Sequence, residues 1–298
     1  MIPRKFFGKI DSFRPPNIRS AANMSKIYFK DNKIIVSLDV YNKKTRLLIL
    51  DIENESAQKL DIVHPGTSQN MYEKSNSFIY ENNLYQFVSG KKEWAISQVD
   101  YLSDSSRKTI RLNSANLMSF TNSEAYIVHT NSGFAVVDKT KPFESKKYYK
   151  KISRLDPFIF VSNNYNNTLE FIIGGFSYVG GNEYNLIGPM ISTSGGGYMS
   201  SGSTYFPGNF SSVYFISTFD NQIFAHIPEN SGGGCSIRVH SYLKNLKKET
   251  NEQNELTYYS NHLFAERVFR YNDNCFLGYY LREDEKYYIY RFENSTNE

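Results

Sequence analysis

The chain has 298 residues, 40% of them apolar and 21% charged, a balance that excludes a disordered polypeptide. Its net charge of +4, from 34 basic and 30 acidic residues, is mild and speaks against a dedicated nucleic-acid binder. No apolar run approaches the ~18 residues of a membrane-spanning helix, so the reading is a soluble globular protein.

Tyr (24) and Phe (22) are abundant, which favours strands, because aromatic side chains pack well on a pleated surface. Residues 1–23 carry five basic residues and one acidic residue, a composition compatible with a targeting peptide. Pro3, Pro15 and Pro16 interrupt the amphipathic helix such a peptide needs, and no apolar secretion segment is visible. The default localisation is therefore cytoplasmic. The stretch "RKFFGKI" (4–10) reads as a β-strand whose partners lie elsewhere.

The next feature is a repeat of pattern. An apolar strand, an Asn or Asp turn and a second apolar strand occur in order at 26–38, 77–88, 117–128, 158–173, 213–227 and 267–281. Asn suits such turns because it tolerates left-handed backbone angles. The punctuating residues Asn32, Asn83, Asn122, Asn167, Asn221 and Asn274 are separated by 51, 39, 45, 54 and 53 residues. A third strand follows at 46–52, 94–102 and 134–140, placing Asp51, Asp100 and Asp138 at comparable positions. A basic fourth strand follows at 56–62, 106–112 and 145–152.

This pattern resembles six-bladed β-propellers over nearly the whole chain, without the signature of a specific family. The resemblance implies one domain over 1–298, with blades near 24–62, 77–112, 115–152, 157–193, 212–258 and 262–294. The last blade lacks its outer strand, and residues 4–10 would complete it, joining the two ends of the chain in one sheet. Paired β-sandwich domains are the alternative.

In such a fold the loops between second and third strands, and those between blades, share one face. That face would gather 41–44, 64–76, 89–93, 174–182, 192–212 and 229–234. Its candidate ligand-binding residues are Tyr178, Tyr198, Tyr205 and Phe206 as rigid aromatic anchors, His64 before Pro65-Gly66, and Lys43, Lys44, Lys91 and Lys92 as charges meeting an acidic partner. The run "KKYYKK" (146–151) could track a phosphate backbone, but reads better as an edge strand guarded by lysines, so nucleic acid is not the expected partner.

Catalytic constellations are missing from the sequence. Ser177 in "GGFSYVG" lacks one glycine of a nucleophile elbow, and His129, His226 and His240 read as sheet residues. No His or Cys spacing fits a metal, no cofactor is implied, and Cys235 and Cys275 read as small core residues. The function expected is therefore a non-catalytic recognition or scaffold module that binds a protein or glycan. One alternative is a hydrolase or lyase acting on a carbohydrate or ester, with Glu73, Glu93 and Glu183 as candidate acids. Another is a structural subunit of a larger assembly, such as a virion or a secretion machine.

Overall fold

The computed structural model describes residues 8–10, 18–41, 43–66, 74–103, 105–131, 135–164, 167–179, 183–184, 204–205, 209–228, 235–252, 263–271, 274–281 and 284–292. The architecture is all-β, mostly antiparallel, with few helices. No helix among the described residues is long and apolar enough to cross a membrane.

The first sheet runs β1 (Gly8–Ile10), β2 (Ser25–Lys30), β3 (Lys33–Tyr41), β4 (Lys44–Asp51) and β5 (Ser56–Val63), in that order, with α1 (Ile18–Ala22) between β1 and β2. Alternation sets its inward face: Thr45, Leu47 and Ile49 of β4 are buried while Arg46, Leu48 and Leu50 point outward. Asp31 and Asn32 both take positive φ (46° and 58°), the geometry of a tight hairpin.

The second sheet is β6 (Lys74–Tyr80), β7 (Asn83–Ser89), β8 (Trp94–Asp100) and β9 (Ser105–Leu112). Leu84 to Ser89 are buried without a break, so this sheet is covered on both faces. Phe78 makes edge contacts with Tyr28 of the first sheet (5.8 Å) and with Phe160 on its other side (5.1 Å). The turn lies at Glu81-Asn82, one residue before the expected Asn83, which already pairs with Tyr80. Asp51 and Asp100 do occupy equivalent places, opposite Lys33 and Asn83. Each accepts from the backbone of the turn it precedes, Asp51 from Asn54 N at 3.0 Å and Asp100 from Leu102 N at 2.9 Å. Asp138 does not correspond, since it sits mid-strand opposite Val128.

Beyond residue 113 the unit-by-unit order breaks. The third sheet combines β10 (Ala125–Asn131), β11 (Ala135–Lys141), β12 (Asp156–Asn163), β13 (Thr168–Val179) and β16 (Asn209–Asp220) in the order β11-β10-β16-β13-β12. The short strands β14 (Glu183–Tyr184) and β15 (Thr204–Tyr205) pair with each other. Thus β16 enters between two expected units and merges them. The expected strand near residue 117 is a 3-10 turn (Leu117–Phe120), and after Asp220 the chain makes one bridge, Phe219 to His226, in place of a hairpin.

The basic fourth strand expected at 145–152 is instead a helix, α2 (Ser145–Ile152). Tyr148, Tyr149 and Ile152 fall at i, i+1 and i+4, a helical stripe, and all three are buried. In a strand the two tyrosines would have faced opposite ways.

The C-terminal part builds its own small core. Helix α3 (Cys235–Glu252) packs against a sheet of β17 (Leu263–Tyr271), β18 (Asn274–Leu281) and β19 (Lys286–Phe292), around Val239, Leu277, Tyr279 and Phe292. Cys235 and Cys275 are joined there as a disulfide, not merely buried as small thiols. The ring closure expected between residues 4–10 and the C-terminal strand is corrected as well. Gly8, Lys9 and Ile10 pair in parallel with Lys26, Ile27 and Tyr28, because α1 turns the chain back along the first sheet.

Candidate functional site

Among the described residues, Lys26, Asp39, Thr45, His64, Asn76, Ser77, Gln86 and Ser97 are buried and hydrogen-bonded to one another where the first and second sheets meet, at the end carrying the β3–β4 and β7–β8 turns. Each comes from an inward-facing position or a strand end. Asp39 continues the inward alternation of Ile35 and Ser37 in β3, next to the register shift between Leu38 and Tyr41, and its carboxylate meets Ser77 of β6.

Asp39 is the hub. One oxygen accepts from the Thr45 hydroxyl at 2.7 Å, and the other from Ser77 N at 2.8 Å, from Ser77 Oγ at 3.0 Å and from Lys26 Nζ at 3.5 Å. Lys26 also donates to Asn76 Oδ1 at 3.3 Å, and Asn76 donates to the carbonyls of Ala22 and Asn23. Burial pulls the Lys26 ammonium below its ordinary pKa, and the facing Asp39 opposes that pull. An ion pair withdrawn this far from water depends on having every other hydrogen-bonding group satisfied.

The proton directions follow from the inventory of donors. Thr45 has one hydroxyl proton, and the Asp39 carboxylate takes it. Thr45 Oγ1 must then accept from Gln86 Nε2 at 3.2 Å and from His64 Nε2 at 3.2 Å. His64 is thereby fixed in the Nε2–H tautomer. Burial lowers its pKa to about 4, with Asp39 pulling upward and Arg107 adding to the depression. Ser97 donates to Gln86 Oε1 at 3.2 Å and closes the chain of bonds.

A nucleophile handing its proton to a histidine would need the opposite arrangement, because there the hydroxyl donates to the imidazole. Here the hydroxyl is fully buried and donates away from His64. What the network can do is hold loops: it ties β2, β3 and β4 to β6 and β7 directly beneath the two turns.

Of the residues singled out from sequence, His64 lies in this network and its backbone N donates to Lys43 O at 2.8 Å. Lys43 is exposed at positive φ (71°), and Lys44 pairs with Asp61 at 2.7 Å, beside Arg46. Lys91 and Lys92 are exposed in the β7–β8 turn, and Glu93 pairs with Arg111 at 2.8 Å. Tyr205 stands opposite Glu183 in the β14–β15 ladder, and Tyr178 opposite Phe210. Tyr198, Phe206 and Glu73 lie outside the described residues. His226 is half-buried against Phe120, and its Nε2 meets Asn122 Oδ1 at 3.0 Å, a sheet-supporting role. Lys26, Asp39, Thr45 and Gln86 were missed by motif reading. Their signal is polar residues in the inward phase of two successive hairpins.

No group of three or more potential metal ligands occurs among the described residues. No protein-family model matches the chain, and no curated protein matches it either. Among solved structures, an endo-arabinanase of glycoside hydrolase family 43 from Bacillus licheniformis aligns at 12% identity and a TM-score of 0.23, over 97% of this chain and 98% of that one.

Proposed function

We propose that the chain is a non-catalytic recognition module that grips a protein or glycan through the loop end of its sheets. The observation that supports this reading is the direction of the Thr45 hydroxyl bond, which goes to Asp39 and leaves His64 as a donor. The assembly most like a catalytic set therefore acts as a rigid base under the loops. Lys43, Lys91 and Lys92 stand exposed in the turns above it and favour an acidic partner. The aromatic residues Tyr178, Tyr198, Tyr205 and Phe206 are the proposed anchors of the same surface.

The test pairs two assays on the full chain: retention on a glycan array, with protein capture by crosslinking, and turnover of chromogenic esters and glycosides. Retention without turnover is the expected result. Turnover that disappears in a folded Thr45→Val variant would overturn the reading, and failure of both assays would count against it.

A further inference from the structure

The structure gathers charge that the sequence disperses. Helix α2 is clamped to the β7–β8 turn by the Trp94–Tyr149 stack (4.5 Å), by Tyr149 OH donating to Gly90 O at 3.2 Å and by Ser153 Oγ at 3.3 Å from the same carbonyl. Lys74 reaches the other end of this segment, donating to Asp156 at 2.8 Å and to the carbonyls of Arg154 and Leu155.

Residues 141–156, the turn at 90–93, Lys74 and Arg111 together hold ten basic residues against three acidic, in a chain whose whole excess is +4. The rest of the protein therefore carries more acid than base. The three acids of this set are engaged, Glu93 with Arg111, Glu144 with Lys147 and Asp156 with Lys74, while Glu124 stands at its edge beside Ala125, the register partner of Lys141. Lys91, Lys92, Lys146, Lys147 and Lys150 are exposed. Lys146 and Lys150, like Lys147 and Lys151, are four residues apart, so their backbone positions on α2 are separated by a rise of about 6 Å along its axis. Crowding is already felt, because burial and the neighbouring Lys141 and Lys147 lower the Lys151 pKa.

We infer that this lysine field is a binding surface for the phosphate backbone of a nucleic acid. Charge complementarity sets the sign of the partner, and three observations narrow its kind. Protein interfaces are depleted in lysine and centred on apolar anchors, whereas Phe143, Tyr148, Tyr149 and Ile152 are buried beneath this surface. The same burial withdraws the two tyrosines from base stacking, so the contact is with phosphates and carries no sequence preference. Exposed lysines one helical turn apart, Lys146 and Lys150, suit a linear strand of phosphates better than a broad lipid plane. The inference goes beyond the loop-end reading, with which it shares Lys91 and Lys92 but not the lysines of α2 that the test removes.

The test is fluorescence anisotropy of a labelled random-sequence DNA duplex with the full chain across a salt series. Affinity should fall steeply with salt, with a slope of about 0.9 per phosphate neutralised. The variant Lys146→Glu/Lys150→Glu should lose at least about tenfold in affinity and lower the slope by roughly two. Lys146→Gln/Lys150→Gln should show the slope change without added repulsion. A control, Lys59→Glu/Lys286→Glu, makes the same change in net charge at exposed sites elsewhere and should bind as the parent does. Absence of duplex binding near physiological salt would overturn the inference, as would equal loss in the control. Stronger retention on phosphatidylserine vesicles or on heparin than on DNA would overturn it in favour of a lipid or a glycan.

Discussion

Tyr149 lies flat on Trp94, with ring centroids 4.5 Å apart and planes within 13° of parallel. Both rings are buried, and the Tyr149 hydroxyl continues to Gly90 O. Tyr149→Phe keeps the stack and removes one buried hydrogen bond, so it should cost about 1 kcal/mol in urea unfolding. Tyr149→Ala leaves a cavity against Trp94 and should cost about 3–5 kcal/mol. Equal costs would mean that the stack contributes nothing beyond the hydroxyl.

That helix also shows how far the sequence could be read. The first two sheets were legible because alternation and Asn turns are local signals, and β2 to β9 fall where the pattern places them. Residues 145–152 read as a strand in sequence because their length, basic start and terminal aliphatic residue match the segment at 106–112. Ile152, one helical turn beyond Tyr148, was the discriminating position. The insertion of β16 between β10 and β13 was not legible at all, since pairing between strands some 80 residues apart leaves no local mark. His64 was visible through its Pro-Gly neighbours, whereas Asp39 shows in sequence only as a polar residue in the inward phase of β3, and its partners Thr45 and Ser77 are fixed by the folded sheets.

His64 should make stability depend on pH. Its folded pKa is lowered from 6.5 to about 4, burial being the main cause. The unfolded chain takes up the proton first, so stability present above pH 6.5 drains as pH falls toward 4, by up to about 3 kcal/mol. His64→Gln can still donate to Thr45 but does not titrate. Urea midpoints measured across this window should slope less in the variant than in the parent, and identical slopes would remove His64 from the account.

The Cys235–Cys275 bond closes a separation of 40 residues, which in the chain-entropy model stabilises its unit by about 4 kcal/mol. Since α3 and the β17–β19 sheet have a core of their own, reduction or Cys275→Ser should loosen that unit first. Amide exchange should speed up in α3 and β18, where the Tyr242 and Tyr279 hydroxyls meet at 3.1 Å, while β7 and β8 stay protected. Uniform acceleration across all the sheets would instead show that the C-terminal unit does not unfold by itself.

Lys26 and Asp39 should respond unequally to removal. Lys26→Met takes away one of four donors to the Asp39 carboxylate and leaves Thr45 Oγ1, Ser77 N and Ser77 Oγ in place. Asp39→Ala strips a fully buried ammonium of its counter-charge and frees Thr45 and Ser77 together, a loss of about 3–5 kcal/mol. The double variant should then be more stable than Asp39→Ala alone, because no buried charge remains without its partner. Urea denaturation of the three variants tests this ordering. If Asp39→Ala proves the mildest change, Asp39 is not the hub of the network, and the rigid base beneath the loops must be sought in Gln86 and Ser97 instead.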